Sequence, residues 1–245
     1  MAMPAALDEI SGIAFNNGIS DTIYAQQDEH GKLFHFKWQD KNVLVTKFGP
    51  KGDYEDLAIC KNYVIMLRSD GVLFVFPLSD ARKQKSERVR IWDRFLPAGE
   101  YEAMSADEKN GKIFVLCKNC EADKTNKKSS GFIFSISDDG SLSPSGNFQI
   151  NVKQIQSGLG RAKIRFRPSG MAADPVTHNW LIISSVNKLL VILDPDWKVT
   201  NIYDLNPAIF VQPEGIAIDK DRHLFIANER NYTSHGTILR FNYKP

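Results

Sequence analysis

The feature that most constrains this chain is a tetrapeptide that returns five times. It reads Ser or Glu, then a small or acidic residue, an aliphatic residue and a small one. The copies are Ser11-Gly12-Ile13-Ala14, Glu55-Asp56-Leu57-Ala58, Glu102-Ala103-Met104-Ser105, Ser169-Gly170-Met171-Ala172 and Glu214-Gly215-Ile216-Ala217. They start at positions 11, 55, 102, 169 and 214, at intervals of 44, 47, 67 and 45 residues. Self-similarity at a period of roughly 40–50 residues marks a propeller or a repeat array. Each copy is followed by a polar turn such as Asn16-Asn17-Gly18, and then by an apolar run such as Tyr63-Val64-Ile65-Met66-Leu67. A second turn leads to an alternating strand such as Gly71 to Phe76, and a fourth segment closes each of the first four units. Helical 3.6-residue periodicity is sustained nowhere. The expectation is an all-β chain, a five-bladed β-propeller of four-stranded antiparallel blades, with residues 1–245 as one domain.

The fifth unit runs out after Phe241, so its outer strand is missing or is supplied by Met1 to Asp8. An unpaired outer edge is an aggregation liability, which favours closure by those few residues. The long interval holds Glu121 to Ser130 and Gln156 to Arg161, read as polar loops inserted around the third blade. They are too short to hide a sixth.

The charge balance argues against a polyanion partner: 31 Lys and Arg stand against 29 Asp and Glu. Nucleic-acid binding would need a local patch. The basic stretch Ala81 to Arg94 reads as a solvated blade edge, and Arg161 to Arg167 alternates as a strand would. The longest apolar run, Leu189 to Leu193, falls far short of the ~20 residues that span a bilayer. Residues 1–6 carry no leader pattern. Cys60, Cys117 and Cys120 do not build a disulfide framework, and Cys117-Lys118-Asn119-Cys120 lacks a second pair or a His to complete a zinc site. That pair reads as two small side chains at a strand end. The four tryptophans fall in different strand segments and are expected to pack between blades.

In a blade the first strand lines the channel, and the second returns to the same mouth. Glu55, Glu102 and Glu214 therefore point at one axis, where like charges repel and buried carboxylates are costly. A hard cation resolves that conflict, and oxygen ligands without histidine suit Ca²⁺ or Mg²⁺. The second-strand ends bring Asp28, Glu29, Arg68, Asp70, Asn228 and Glu229 to the same mouth, as ligands or supporting groups. Mixed charges at a concave opening suit a small polar or anionic ligand. The competing expectation is a self-satisfied salt-bridge network.

These motifs, with Leu67-Arg68-Ser69-Asp70-Gly71 and Arg165-Phe166-Arg167-Pro168-Ser169-Gly170, resemble the SdiA-regulated family of YjiK-like bacterial proteins across nearly the whole chain. The resemblance implies a five-bladed propeller distantly similar to NHL repeats, a calcium site at Glu55, Glu102 and Glu214, and a periplasmic or cell-envelope location. It implies no reaction. Two functions stay open: a monomeric binding module for a small ligand, protein or glycan, and a metal-dependent hydrolase with Asp28 or Glu29 as base. The Gly-x-Ser-x-Gly elbow of many hydrolases is absent, and His30 reads as an exposed turn residue.

Overall fold

The computed structural model describes residues 1–40, 42–160, 163–231 and 235–244. Nineteen strands appear among them, grouped into five antiparallel sheets. The blades are β1 (Ile10–Asn16) to β4 (Leu44–Lys51), β5 (Tyr54–Cys60) to β8 (Arg90–Trp92), and β9 (Gly99–Asp107) to β12 (Leu142–Asn151). The fourth runs from β13 (Gly170–Ala173) to β16 (Val199–Asp204), and the fifth holds β17 (Pro213–Ile218), β18 (His223–Asn228) and β19 (Thr237–Asn242). Within each blade the strands follow sequence order. The first strands contact one another in a closed ring, β1 to β5, β9, β13, β17 and back to β1.

The apolar runs follow from this arrangement. A blade is covered on both faces, so its inner strands are apolar throughout and alternate residues enter different seams. In β6 (Tyr63–Arg68), Val64 and Met66 pack toward blade 1, while Ile65 and Leu67 pack toward blade 3. Five apolar clusters result, one per seam. The tryptophans join them: Trp38 meets Phe225 in the seam between blades 5 and 1, Trp92 packs between blades 2 and 3, and Trp180 and Trp197 stack between blades 3 and 4.

The ring closes through the N-terminal residues, the second of the two outcomes the sequence allowed. Ala2 bridges Thr237, the Met1 amino group donates to the Ile238 carbonyl (2.8 Å), Ile238 N–H donates to the Met1 carbonyl (2.9 Å), and Met3 N–H donates to Gly236 (2.8 Å). Residues 1–3 thus serve as the fourth strand of blade 5. The edge of blade 1 is covered as well, because Lys47 exchanges hydrogen bonds with Gln84 and Ser86.

The insertions correct two local readings. Lys128 to Ser130 belong to β11 (Lys128–Ile136), and Gln156 to Gly158 end a short helix, α1 (Val152–Gly158), whose Val152 and Ile155 are buried. Apolar anchoring outweighs the polar appearance of those segments. Lys163 to Arg167 form no strand; Arg165 donates to Asn119 (2.6 Å), and Arg167 N–H donates to the Asn187 side chain (3.1 Å). Arg161 lies outside the described residues. The basic stretch at 81–94 is tied down by the fully buried Asp80 carboxylate, which takes Ser86, Lys83 and Arg88.

Candidate functional site

In its three glutamate copies the recurring tetrapeptide opens on a β-bulge. Tyr54 pairs with Arg68 and Asp56 with Leu67, so Glu55 is the extra residue on β5. The same count leaves Glu102 unpaired on β9, between Tyr101 and Ala103, and Glu214 unpaired on β17, between Pro213 and Gly215. A bulged residue leaves the ladder and re-aims its side chain. Here it turns the carboxylates toward one mouth of the channel. Glycine follows three of the repeat positions, as Gly12, Gly170 and Gly215, because the neighbouring blade comes close. A Cβ on Gly170 would stand 2.4 Å from the Glu214 carbonyl, and one on Gly215 would stand 2.7 Å from that of Ser11. In blade 2 the equivalent position is Asp56, whose buried carboxyl accepts from Leu57 N–H (2.8 Å) and Met104 N–H (2.6 Å) and so ties blade 2 to blade 3.

The three motif glutamates have different surroundings. Glu102 is 6 % exposed and is engaged by the Lys118 ammonium, which also lies 3.3 Å from Glu100. Lys118 owes this position to a second bulge: Cys117 pairs with Tyr101 and Asn119 with Glu100, leaving Lys118 as the extra residue of β10 (Lys112–Cys120). A Cys117–Cys120 disulfide spans that bulge. The cysteines read as two small side chains are therefore a covalent staple that aims a cation into the channel mouth. Among the described residues Glu55 has no such partner. Burial, then the charges of Asp53, Glu214 and Asp28, push its carboxyl up to about 8 against the pull of Lys118. Burial also lifts Glu214 to about 7, opposed by Ser185, Lys118, Lys188 and Ser169.

The second-strand ends complete the mouth. Asp28 is raised to about 6 by burial and by Glu9 and Glu29, and its Oδ1 is buried without a hydrogen-bond partner. Asn228 is 2 % exposed; its amide donates to Thr237 (3.3 Å), but its Oδ1 has no partner. Glu229 accepts from Gln212 (2.6 Å) and is raised to about 7 by burial, Glu214, Asp28 and Glu9. Arg68 and Asp70 hold each other in a two-pronged pair (2.9 and 2.8 Å), with Arg68 also over the Phe74 ring at 5.5 Å. An anion would have to displace Asp70 to reach that guanidinium. Glu29 stands aside, lining a small cavity of about 270 Å³ with Glu9, His30 and Arg230. His30 is bonded to Gln27 at 2.9 Å.

Asp28, Glu55, Glu214 and Glu229 thus feel one another's charge, while Glu102 is neutralised within the fold. Their oxygens are not drawn into a tight cluster. Among the described residues, the group of three acidic, His or Cys ligand atoms within 4.8 Å of one another is Cys117, Cys120 and Asp123, and its two sulfurs are joined to each other. Sequence reasoning missed Lys118, the cation held against Glu100 and Glu102. Its signal was the two-residue spacer of the Cys pair, which fits a stapled bulge.

No family model matches the chain, and no curated protein sequence matches it. Solved structures do. The chain is similar to glutaminyl cyclase from Myxococcus xanthus (14% identity, 98% of this chain and 95% of that one, TM-score 0.60). It is also similar to a calcium-binding protein, regucalcin, from Agrobacterium tumefaciens (12% identity, 98% and 90%, TM-score 0.55). A luciferin-regenerating enzyme aligns at 9% identity over 98% and 92%, with a TM-score of 0.56. At such identities the likeness is one of fold, and the fold shared with these neighbours is the β-propeller.

Proposed function

We propose that the glutamate mouth binds a divalent cation, Ca²⁺ with Mg²⁺ as its competitor, and that the cation organises a binding face for a small polar ligand. The observation that carries this reading is the convergence of Glu55, Glu214, Asp28 and Glu229, with the Asp28 and Asn228 Oδ1 atoms buried and unpartnered. Desolvated carboxylates that repel one another, beside unsatisfied carbonyl-type oxygens, form a hard-cation environment. Because the oxygens are not yet clustered, the ion would be held partly through water, with Glu55 and Glu214 nearest. Glu102 joins when Lys118 gives way. The cation would supply charge neutralisation and open coordination positions, whereas this chain's residues orient it from three bulged strands. The motif resemblance to SdiA-regulated proteins supports the reading, as does the propeller neighbour described as calcium-binding. The Cys117–Cys120 disulfide supports an oxidising compartment such as the periplasm or envelope.

The test is thermal unfolding with Ca²⁺ and with chelator. Stabilisation of about 2.7 kcal/mol is expected at a hundredfold excess over Kd, or about 5–10 °C for a domain of this size. The combined Glu55→Gln, Glu102→Gln and Glu214→Gln variant should fold and lose that response. A melting temperature indifferent to both Ca²⁺ and chelator overturns the site.

A further inference from the structure

The other mouth of the channel, where turns such as Asn16-Asn17-Gly18 lie, opens into a cavity of about 730 Å³. The walls come from the far ends of the inner strands, with Phe15, Met104 and Met171 inside and Phe114, Trp180 and Trp197 along one side. Trp180 and Trp197 stack at 4.5 Å, and the Phe114 ring leans on Trp180 at 4.6 Å with a 57° tilt. At the rim the acids differ sharply in their partners. Asp107 is taken by Asn110, through its backbone N–H (3.1 Å) and its amide, and Asp174 by Arg222, Thr177 and Val176. Glu108 accepts from the Asn17 N–H at 2.6 Å, which reaches over from blade 1. Among the described residues no cation lies within ion-pair distance of it. Burial pushes its carboxyl up to about 7. The lysines at this rim, Lys109 and Lys220, are exposed.

We propose that this mouth is a second binding site, independent of the glutamate ring, for a small hydrophobic monoamine whose apolar body lies on the Phe114–Trp180–Trp197 wall and whose ammonium pairs with Glu108. An apolar cavity of this size accommodates a drug-sized molecule. Aromatic faces favour a neighbouring cation. A half-buried carboxylate lacking a counter-ion supplies orientation, because pairing it removes the cost of its desolvation.

The probe is 3-phenylpropylamine, compared with the neutral 3-phenylpropanol and the anionic 3-phenylpropionate. Quenching of Trp180 and Trp197 fluorescence, with calorimetry, reads the binding. The amine should bind at least tenfold more tightly than the alcohol, and the propionate most weakly. Glu108→Gln should keep the melting temperature and erase the preference for amine over alcohol. The wild-type ranking alone is decisive: absence of amine binding, or a propionate that binds as well, overturns the proposal. Amine binding undiminished in Glu108→Gln overturns it too, since the ammonium would then sit elsewhere.

Discussion

Truncating Leu7 to alanine tests how the ring is held shut. Four of the five seams join blades that follow one another in the chain. The seam between blades 5 and 1 depends on residues 1–3 and on the side chains behind them. Leu7 is fully buried there, packed with Ile10, Ile23, Phe225 and Ile238. Removing a fully buried leucine side chain costs about 3 kcal/mol, within the usual range for such cavities. At roughly 2–4 °C per kcal/mol for a domain of this size, the melting temperature should fall by about 6–12 °C. The control is Leu181→Ala, equally buried in the seam between blades 4 and 5, which should lose a similar amount globally. Amide hydrogen exchange separates the two. In Leu7→Ala the Ile238 N–H, bonded to Met1 at 2.9 Å, should exchange by local opening well before the inner strands. In Leu181→Ala it should exchange only with them. A loss below about 1 kcal/mol for Leu7→Ala, or identical Ile238 exchange in both variants, refutes this account of the closure.

Two further predictions concern charge. The buried Asp80 carboxyl is held well below the usual range, by Arg88 foremost and also by Lys83 and Ser86, so its contribution is present above its unfolded pKa and is lost as the pH falls through acid. Asp80→Asn should therefore be less stable than the wild type at pH 7 in urea unfolding, with the gap starting to narrow below about pH 4 and continuing to shrink as the pH falls further; a constant gap would show that the carboxylate's charge is irrelevant. Lys118→Gln removes the built-in cation beside Glu100 and Glu102 and should tighten Ca²⁺ binding at least tenfold in calorimetry. Unchanged or weaker affinity would mean that Lys118 does not compete with the ion.

Blade count and strand order were legible in the sequence alone. These are local properties: a turn every few residues, apolar runs buried on both sides, and a motif that returns once per blade. Tertiary structure decided what the local pattern does not encode. The role of Lys118 depends on a bulge in a partner strand and on a disulfide across it, which turn a solvent-seeking side chain toward Glu102. Arg68 and Asp70 were expected at the mouth, yet only their two-pronged geometry shows that each already satisfies the other. The isolation of Glu108 emerges only when turns from blades 1 and 3 meet across the channel, 91 residues apart in sequence. Ion pairs and cavities are set by distances between segments that the chain order leaves free, and closing the ring fixes those distances.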